Sequence, residues 1–284
     1  MAEIEKSRIA ELEALAEEVL IAQNPGKRIE PAQILRDLRI GISYGDYGTA
    51  FDGMLEHRSG IFHVYLNLRR CGRRDSPRAR FTLSHELGHF YIDEHRAALA
   101  SGRALSHGSK TDFESNNPVE READRFAAGL LLPQSRFGGS LRRAKRGMAG
   151  TLDLAKEFGT SITSTALRSL DVGELPCALM KWTDEGLAWK RFSSSFYDFG
   201  VRSVITSPKA VPKESPTQRM LSDGKSIGDE ILRAGSVGRS WIPAATFKNE
   251  LDLILIEESV SLGEYGVLTL LYPESGKLPI SRCR

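Results

Sequence analysis

The sequence predicts an α+β protein in three parts: a first domain in which helices cover a small β-sheet, a helix-turn-helix-like (HTH-like) helical connector, and a β-rich carboxy-terminal domain. Three observations predict it. Apolar residues recur at helical spacing through residues 4–131, interrupted by two strand-like stretches; a basic run at residues 142–146 precedes a short helical pair; and from Pro176 onward the texture turns to strands. The expected boundaries are 1–140, 141–174 and 175–284. A chain of 284 residues is ample for a core, and 39 Lys and Arg against 37 Asp and Glu leave a formal charge of +2, without the excess that announces general nucleic-acid binding.

Element by element, Ile4, Ile9, Leu12, Leu15, Val19 and Leu20 mark a helix that the breaker Asn24-Pro25-Gly26 ends. A second helix covers residues 31–38. Two strands follow at 40–44 and 61–68, the latter bounded by Ser59-Gly60 and rich in aromatic and β-branched side chains. Residues 76–94 read as helix and 100–117 as a polar surface loop. Pro118 sits where a first-turn proline is tolerated, and Val119, Ala123, Phe126, Ala127, Leu130 and Leu131 lay an apolar stripe before Pro133 stops the helix. Helices at 152–158 and 162–170 lead to a hairpin of 177–182 and 187–192 around Thr183-Asp184-Glu185-Gly186. Further strands are expected within 250–272, with a polar, proline-bearing loop at 207–225. No apolar run approaches the roughly 20 residues needed to span a bilayer. The mixed-charge opening, without a secretion signal, and three scattered cysteines, Cys71, Cys177 and Cys283, lead us to expect a cytoplasmic protein.

Residues 85–89 read His85-Glu86-Leu87-Gly88-His89, the zincin motif. Two histidines four apart on a helix are rotated by about 40°, so both rings reach one metal, and the glutamate beside the first is placed as a base for water activated there. Zinc chemistry with such a base is peptide hydrolysis. Leu83, Leu87 and Phe90 gather opposite the two histidines, so this helix packs by one face and offers the other to a cleft. Two candidates compete for third ligand. His95 lies six residues beyond His89, where a third histidine serves in some zincins, but Ile92 stands where such chains turn back on a glycine, and a continuing helix carries His95 off the metal face. On the next long helix Glu120 falls at the edge of the apolar stripe, with Asp124 one turn along, whereas Glu122 points toward solvent. Glu120 is the better ligand, with Glu122 kept as the alternative. Asp124 is then placed to hold a histidine by its second nitrogen, or else pairs with Arg121 or Arg125 as an ordinary helix charge.

Arg80-Phe81-Thr82-Leu83-Ser84-His85-Glu86-Leu87-Gly88-His89-Phe90, the strand ending Leu66-Asn67-Leu68, and the run from Glu120 through Asp124 to Leu132-Pro133 together resemble the ImmA/IrrE family of metallopeptidases, closely over about residues 30–135. The resemblance implies a zincin-like, gluzincin-type fold with zinc held by His85, His89 and Glu120 and with Glu86 as catalytic base. It also implies cleavage of a partner helix-turn-helix repressor, which relieves repression under stress. Asp124 stands where many members carry asparagine.

Residues 152–170 carry a helix-turn-helix pattern around Phe158-Gly159-Thr160-Ser161, with Thr163, Ser164 and Arg168 as candidate DNA contacts; one arginine on the recognition helix and a balanced charge argue for helical packing instead. Tyr65, His63 and His107 are candidate electrophiles for the tetrahedral intermediate, among which the sequence does not choose. Cys71, in Arg69-Arg70-Cys71-Gly72-Arg73-Arg74, reads as an inert loop position.

Overall fold

The leucine and alanine stripe of the first helix, α1 (Lys6–Gln23), turns Leu12, Ala16, Val19 and Leu20 inward, the spacing of one helix face. The computed structural model describes residues 4–23, 28–103, 108–109, 117–198, 211–223, 227–228, 230–237, 241 and 254–275. It divides into two compact units, Met1–Gly139 with Ala155–Ser161, and Ser140–Leu154 with Ile162–Arg284.

In the first unit, α2 (Pro31–Asp37) opens on a first-turn proline and leads to β1 (Gly41–Gly45), β2 (Gly53–Arg58) and β3 (Ile61–Asn67). The sheet order is β1-β3-β2, with β1 parallel and β2 antiparallel to β3. Strand β2 is absent from the sequence prediction. Ser59 and Gly60, both at positive φ, close it onto β3 as a two-residue hairpin. A short α3 (Leu68–Cys71) precedes α4 (Pro77–Tyr91), whose first turn is capped by Ser76 Oγ accepting from the Ala79 amide. Every residue of α4 from Ala79 to His89 is buried, so it packs on all sides rather than one.

Helix α4 does not continue past Ile92 as the sequence predicts: Ile92 is extended, and α5 (Asp93–Ala100) starts afresh. Asp93 and Glu94 occupy its first turn, where the helix dipole favours acids. Of the expected surface loop, Ser109 is buried and pairs with Gly53, while 104–107 and 110–116 lie outside the described residues. Helix α6 (Pro118–Leu131) then packs on α4, and a Cβ on Gly88 would stand 3.1 Å from the Ala123 Cα; a bare hydrogen lets the two backbones approach. Arg80, 2% exposed, donates to the carbonyls of Ile29 and Gly159 and to Glu30, joining α4 to α2 and to the Ala155–Ser161 segment of the unit.

Helix α7 (Gln134–Arg143) leads toward α8 (Met148–Phe158) and α9 (Ile162–Val172). The second unit is built on β4 (Ala178–Thr183), β5 (Gly186–Phe192), β6 (Ile231–Val237), β7 (Ile254–Ser261) and β8 (Val267–Pro273), with α10 (Ser194–Asp198) and α11 (Pro216–Asp223) between β5 and β6. Among the described residues the sheet order is β5-β4-β8-β7-β6, antiparallel throughout. Alternation along β4 sends Leu179 to a face shared with Met148, Ala166 and Leu170, and Met180 and Trp182 to the opposite face, shared with Phe196, Met220 and Trp241. Both faces are covered, which is why β7 and β8 are buried along nearly their whole length. Part of the expected loop at 207–225 is α11, whose proline starts the helix and whose Thr217 and Met220 turn inward; residues 207–210 and 224–225 lie outside the described residues.

Candidate metal centre

Helix periodicity puts His85 and His89 on one side of α4, and the start of α6 brings the acid to them. Asn117 caps α6 by accepting from the Val119 amide, Pro118 takes the first helical position, and Glu120 therefore sits in the first turn, facing α4. The two Nε2 atoms are 3.1 Å apart. Glu120 Oε2 lies 3.2 Å from His85 Nε2, and its Oε1 lies 3.4 Å from His89 Nε2. His85, His89 and Glu120 form a group able to hold a metal ion, all three buried. A tetrahedral zinc with bonds of about 2.0–2.1 Å sets its ligand atoms about 3.3 Å apart, close to the Nε2–Nε2 separation and to that of each histidine from its nearer Glu120 oxygen.

Asp124, one turn along α6, places Oδ1 2.8 Å from His85 Nδ1. Burial disfavours the charged ring, but the carboxylates of Asp124 and Glu120 outweigh it and push the His85 pKa up to about 10. Arg125 pairs with Glu13 on α1. Glu86 is fully buried beside the histidines. A Cβ on Gly53 would stand 2.8 Å from Glu86 Oε1 and 2.4 Å from Thr82 Cγ2, so strand β2 passes directly against the glutamate. Sequence spacing does not reveal that neighbour because it does not reveal β2; the hairpin doublet Ser59-Gly60 is the signal for it.

Glu122 stands apart from the cluster, its carboxylate held by Arg8 of α1 at 2.8 and 3.1 Å. His95 is also outside the ligand group: its Nε2 lies 3.3 Å from Glu122 Oε2, and its ring centroid is 5.2 Å from that of His89. Burial, with the neighbouring His89, pushes the His95 pKa down. The chain does turn at Ile92, yet His95 directs its Nε2 to Glu122 of α6 and brings only the side of its ring to His89.

Of the candidate electrophiles, the Tyr65 hydroxyl donates to Glu56, His63 Nε2 is 2.8 Å from Ser43 Oγ, and His107 lies outside the described residues. Burial pushes the Cys71 thiol up, and the arginines near it spend their charge elsewhere: Arg70 and Arg78 both engage the buried carboxylate of Asp52. Cys177, also buried, is pushed up to about 12, and Cys283 lies outside the described residues. Arg168 on α9 is 3% exposed, which withdraws it from any base-reading surface.

The chain carries a peptidase-family domain: residues 71–169 match the family model described as the IrrE N-terminal-like domain. No curated protein matches. Among solved structures, one described as "Mycobacterium tuberculosis transcriptional regulator" is similar in fold, with a TM-score of 0.58 over 93% of this chain and 76% of that chain, at 12% identity.

Proposed function

We propose that this chain is a zinc-dependent endopeptidase whose substrate is a helix-turn-helix transcriptional repressor, cut to relieve repression under stress. The observation that carries the reading is the trio of donor separations, 3.1, 3.2 and 3.4 Å, among His85, His89 and Glu120. The family domain supports the reaction class, and the ImmA/IrrE resemblance supports the repressor as substrate.

Zinc, when bound, supplies a Lewis acid that acidifies water and polarises a peptide carbonyl. His85 and His89 would hold it by their ring nitrogens and Glu120 by its carboxylate. Asp124 accepts the Nδ1 proton of His85, which fixes the tautomer that leaves Nε2 as donor atom. Glu86 takes the proton from the attacking water and returns it to the leaving amine. Its burial, and the backbone of Gly53 laid against it, keep the carboxylate in one place.

A second reading, a DNA- or partner-binding regulator that keeps this fold without proteolysis, is favoured by the likeness in fold to a protein described as a transcriptional regulator. Burial of Arg168 and the net charge of +2 weigh against its DNA-reading form. The Glu86→Gln chain separates the two. It keeps the ligands and loses the base, so it should retain about one zinc and, drawn through a lysate of its host, hold an intact helix-turn-helix protein that the unmodified chain cuts in a chelator-sensitive reaction. Equal cutting by both proteins, or cutting after zinc removal, sinks the peptidase reading. A specific DNA footprint surviving about 0.15 M salt, where the Debye length is about 8 Å, favours the regulator.

A further inference from the structure

His85 is fixed through its Nδ1 by the carboxylate of Asp124. His89 has the ring of His95 against it, with centroids 5.2 Å apart and planes inclined at 42°. His95 is 7% exposed, and its Nδ1 has no hydrogen-bond partner among the described residues. The other nitrogen, Nε2, faces Glu122 at 3.3 Å. Glu122 is itself clamped by the Arg8 guanidinium through Nε and Nη2 at 3.1 and 2.8 Å. The series thus runs from α1 to α6 to α5 and ends on the imidazole of His89.

We infer that His95 is a positioning residue for the metal centre: its ring, oriented by Glu122 and Arg8, confines the ring of His89 so that Nε2 stays aimed at the site. The inference rests on the metal reading above and adds a residue to it. A side chain confined by packing loses little rotamer freedom when it coordinates, which favours affinity and slows release. What His95 contributes is a flat, buried ring, not a ligand atom; phenylalanine should therefore serve, and alanine should not. Glu122, which points away from the ligand group, acts only through His95.

The test is zinc affinity of the full chain by competition with a chelating dye, beside the thermal midpoint of each metal-free protein. His95→Ala should weaken zinc binding about tenfold or more, in the range seen when supporting groups around a metal are lost. His95→Phe should stay within about threefold of wild type, and Glu122→Ala should fall between the two, at about three- to tenfold. The cobalt-loaded His95→Phe protein should keep the visible absorption maximum of wild type, whereas His95→Ala should shift it. A metal-free midpoint unchanged in His95→Ala separates loss of positioning from loss of fold; should that variant not fold, Glu122→Ala and His95→Phe decide. Wild-type affinity in His95→Ala overturns the inference, as does wild-type affinity in Glu122→Ala where His95→Ala does not fold. Complete loss of zinc in His95→Phe also overturns it, by making His95 a ligand. A wild-type chain that takes up no zinc overturns the metal reading itself, a result distinct from either.

Discussion

Asp124 offers the sharpest test of how the site is supported. The carboxylate reaches the buried His85 at 2.8 Å while its own side chain is only 16% exposed, so the contact is a charge-assisted bond largely shielded from water. Asp124→Ala removes the acceptor that holds the Nδ1 proton and frees the ring to rotate or change tautomer. Loss of such a group costs about 10- to 100-fold in metal affinity, equivalent to about 1.4–2.8 kcal/mol. Asp124→Asn keeps an oxygen acceptor but drops the charge, so its loss should be the smaller of the two, within about tenfold. Zinc affinity at pH 7, measured against a competing chelator, reads both. Should Asp124→Ala bind zinc within about twofold of wild type, below the range for a supporting group, the carboxylate is an ordinary helix charge and the proposed support of His85 is wrong.

Three further outcomes follow from other contacts. Arg80→Met removes the donors to the Ile29 and Gly159 carbonyls and should cost about 2–4 kcal/mol, seen as a fall of about 5–15 °C in the thermal midpoint; an unchanged midpoint contradicts the stapling role. On the proposed reading, Gly53→Ala should push against Thr82 and Glu86 and lower peptide hydrolysis about tenfold or more while zinc content stays near one, since the proposed base and not the proposed ligands is displaced; wild-type turnover would show that Glu86 is placed by something else. Glu257, buried in the second unit, has its pKa raised by burial, with hydrogen bonds from Thr217 and Trp241 opposing the shift in part. A raised folded-state value means its contribution to stability is fully present below the unfolded pKa and is lost as pH rises through the folded one. Thermal scans from acid to neutral pH should therefore show the midpoint of wild type falling relative to that of Glu257→Gln as pH increases, and a gap independent of pH contradicts the shift.

What is legible in the sequence is what local spacing determines. Ser76-Pro77 starts α4 and Asn117-Pro118 starts α6, each by a cap whose chemistry is contained within a few residues. With those starting points, helical periodicity alone places His85 and His89 together and favours Glu120 over Glu122. Strand β2 is not legible because Gly53 and Leu55 look inward only once β3 is beside them and α4 lies beneath. The break at Ile92 escapes because the residue is a sound helix former by pattern, and only the acids after it mark a fresh start. Helix α11 is hidden by its polar composition: Thr217 is inward because Glu257 on a distant strand accepts its amide and hydroxyl hydrogens.

The same distinction applies within the metal centre. An interval of four residues is sufficient for the first two candidate ligands, because one turn of backbone carries both. The third depends on how closely a second helix can approach, and that distance is set at Gly88, between the two metal-facing positions, where the Ala123 backbone fills the space a side chain would need. A side chain there leaves His85 and His89 on the same face of α4 but presses its Cβ on the Ala123 backbone at 3.1 Å, so α6, which carries Glu120 and Asp124, has to give by a few tenths of an ångström. The motif's glycine is thus a feature of helix packing, and through packing it closes the candidate ligand set that the histidine spacing only begins.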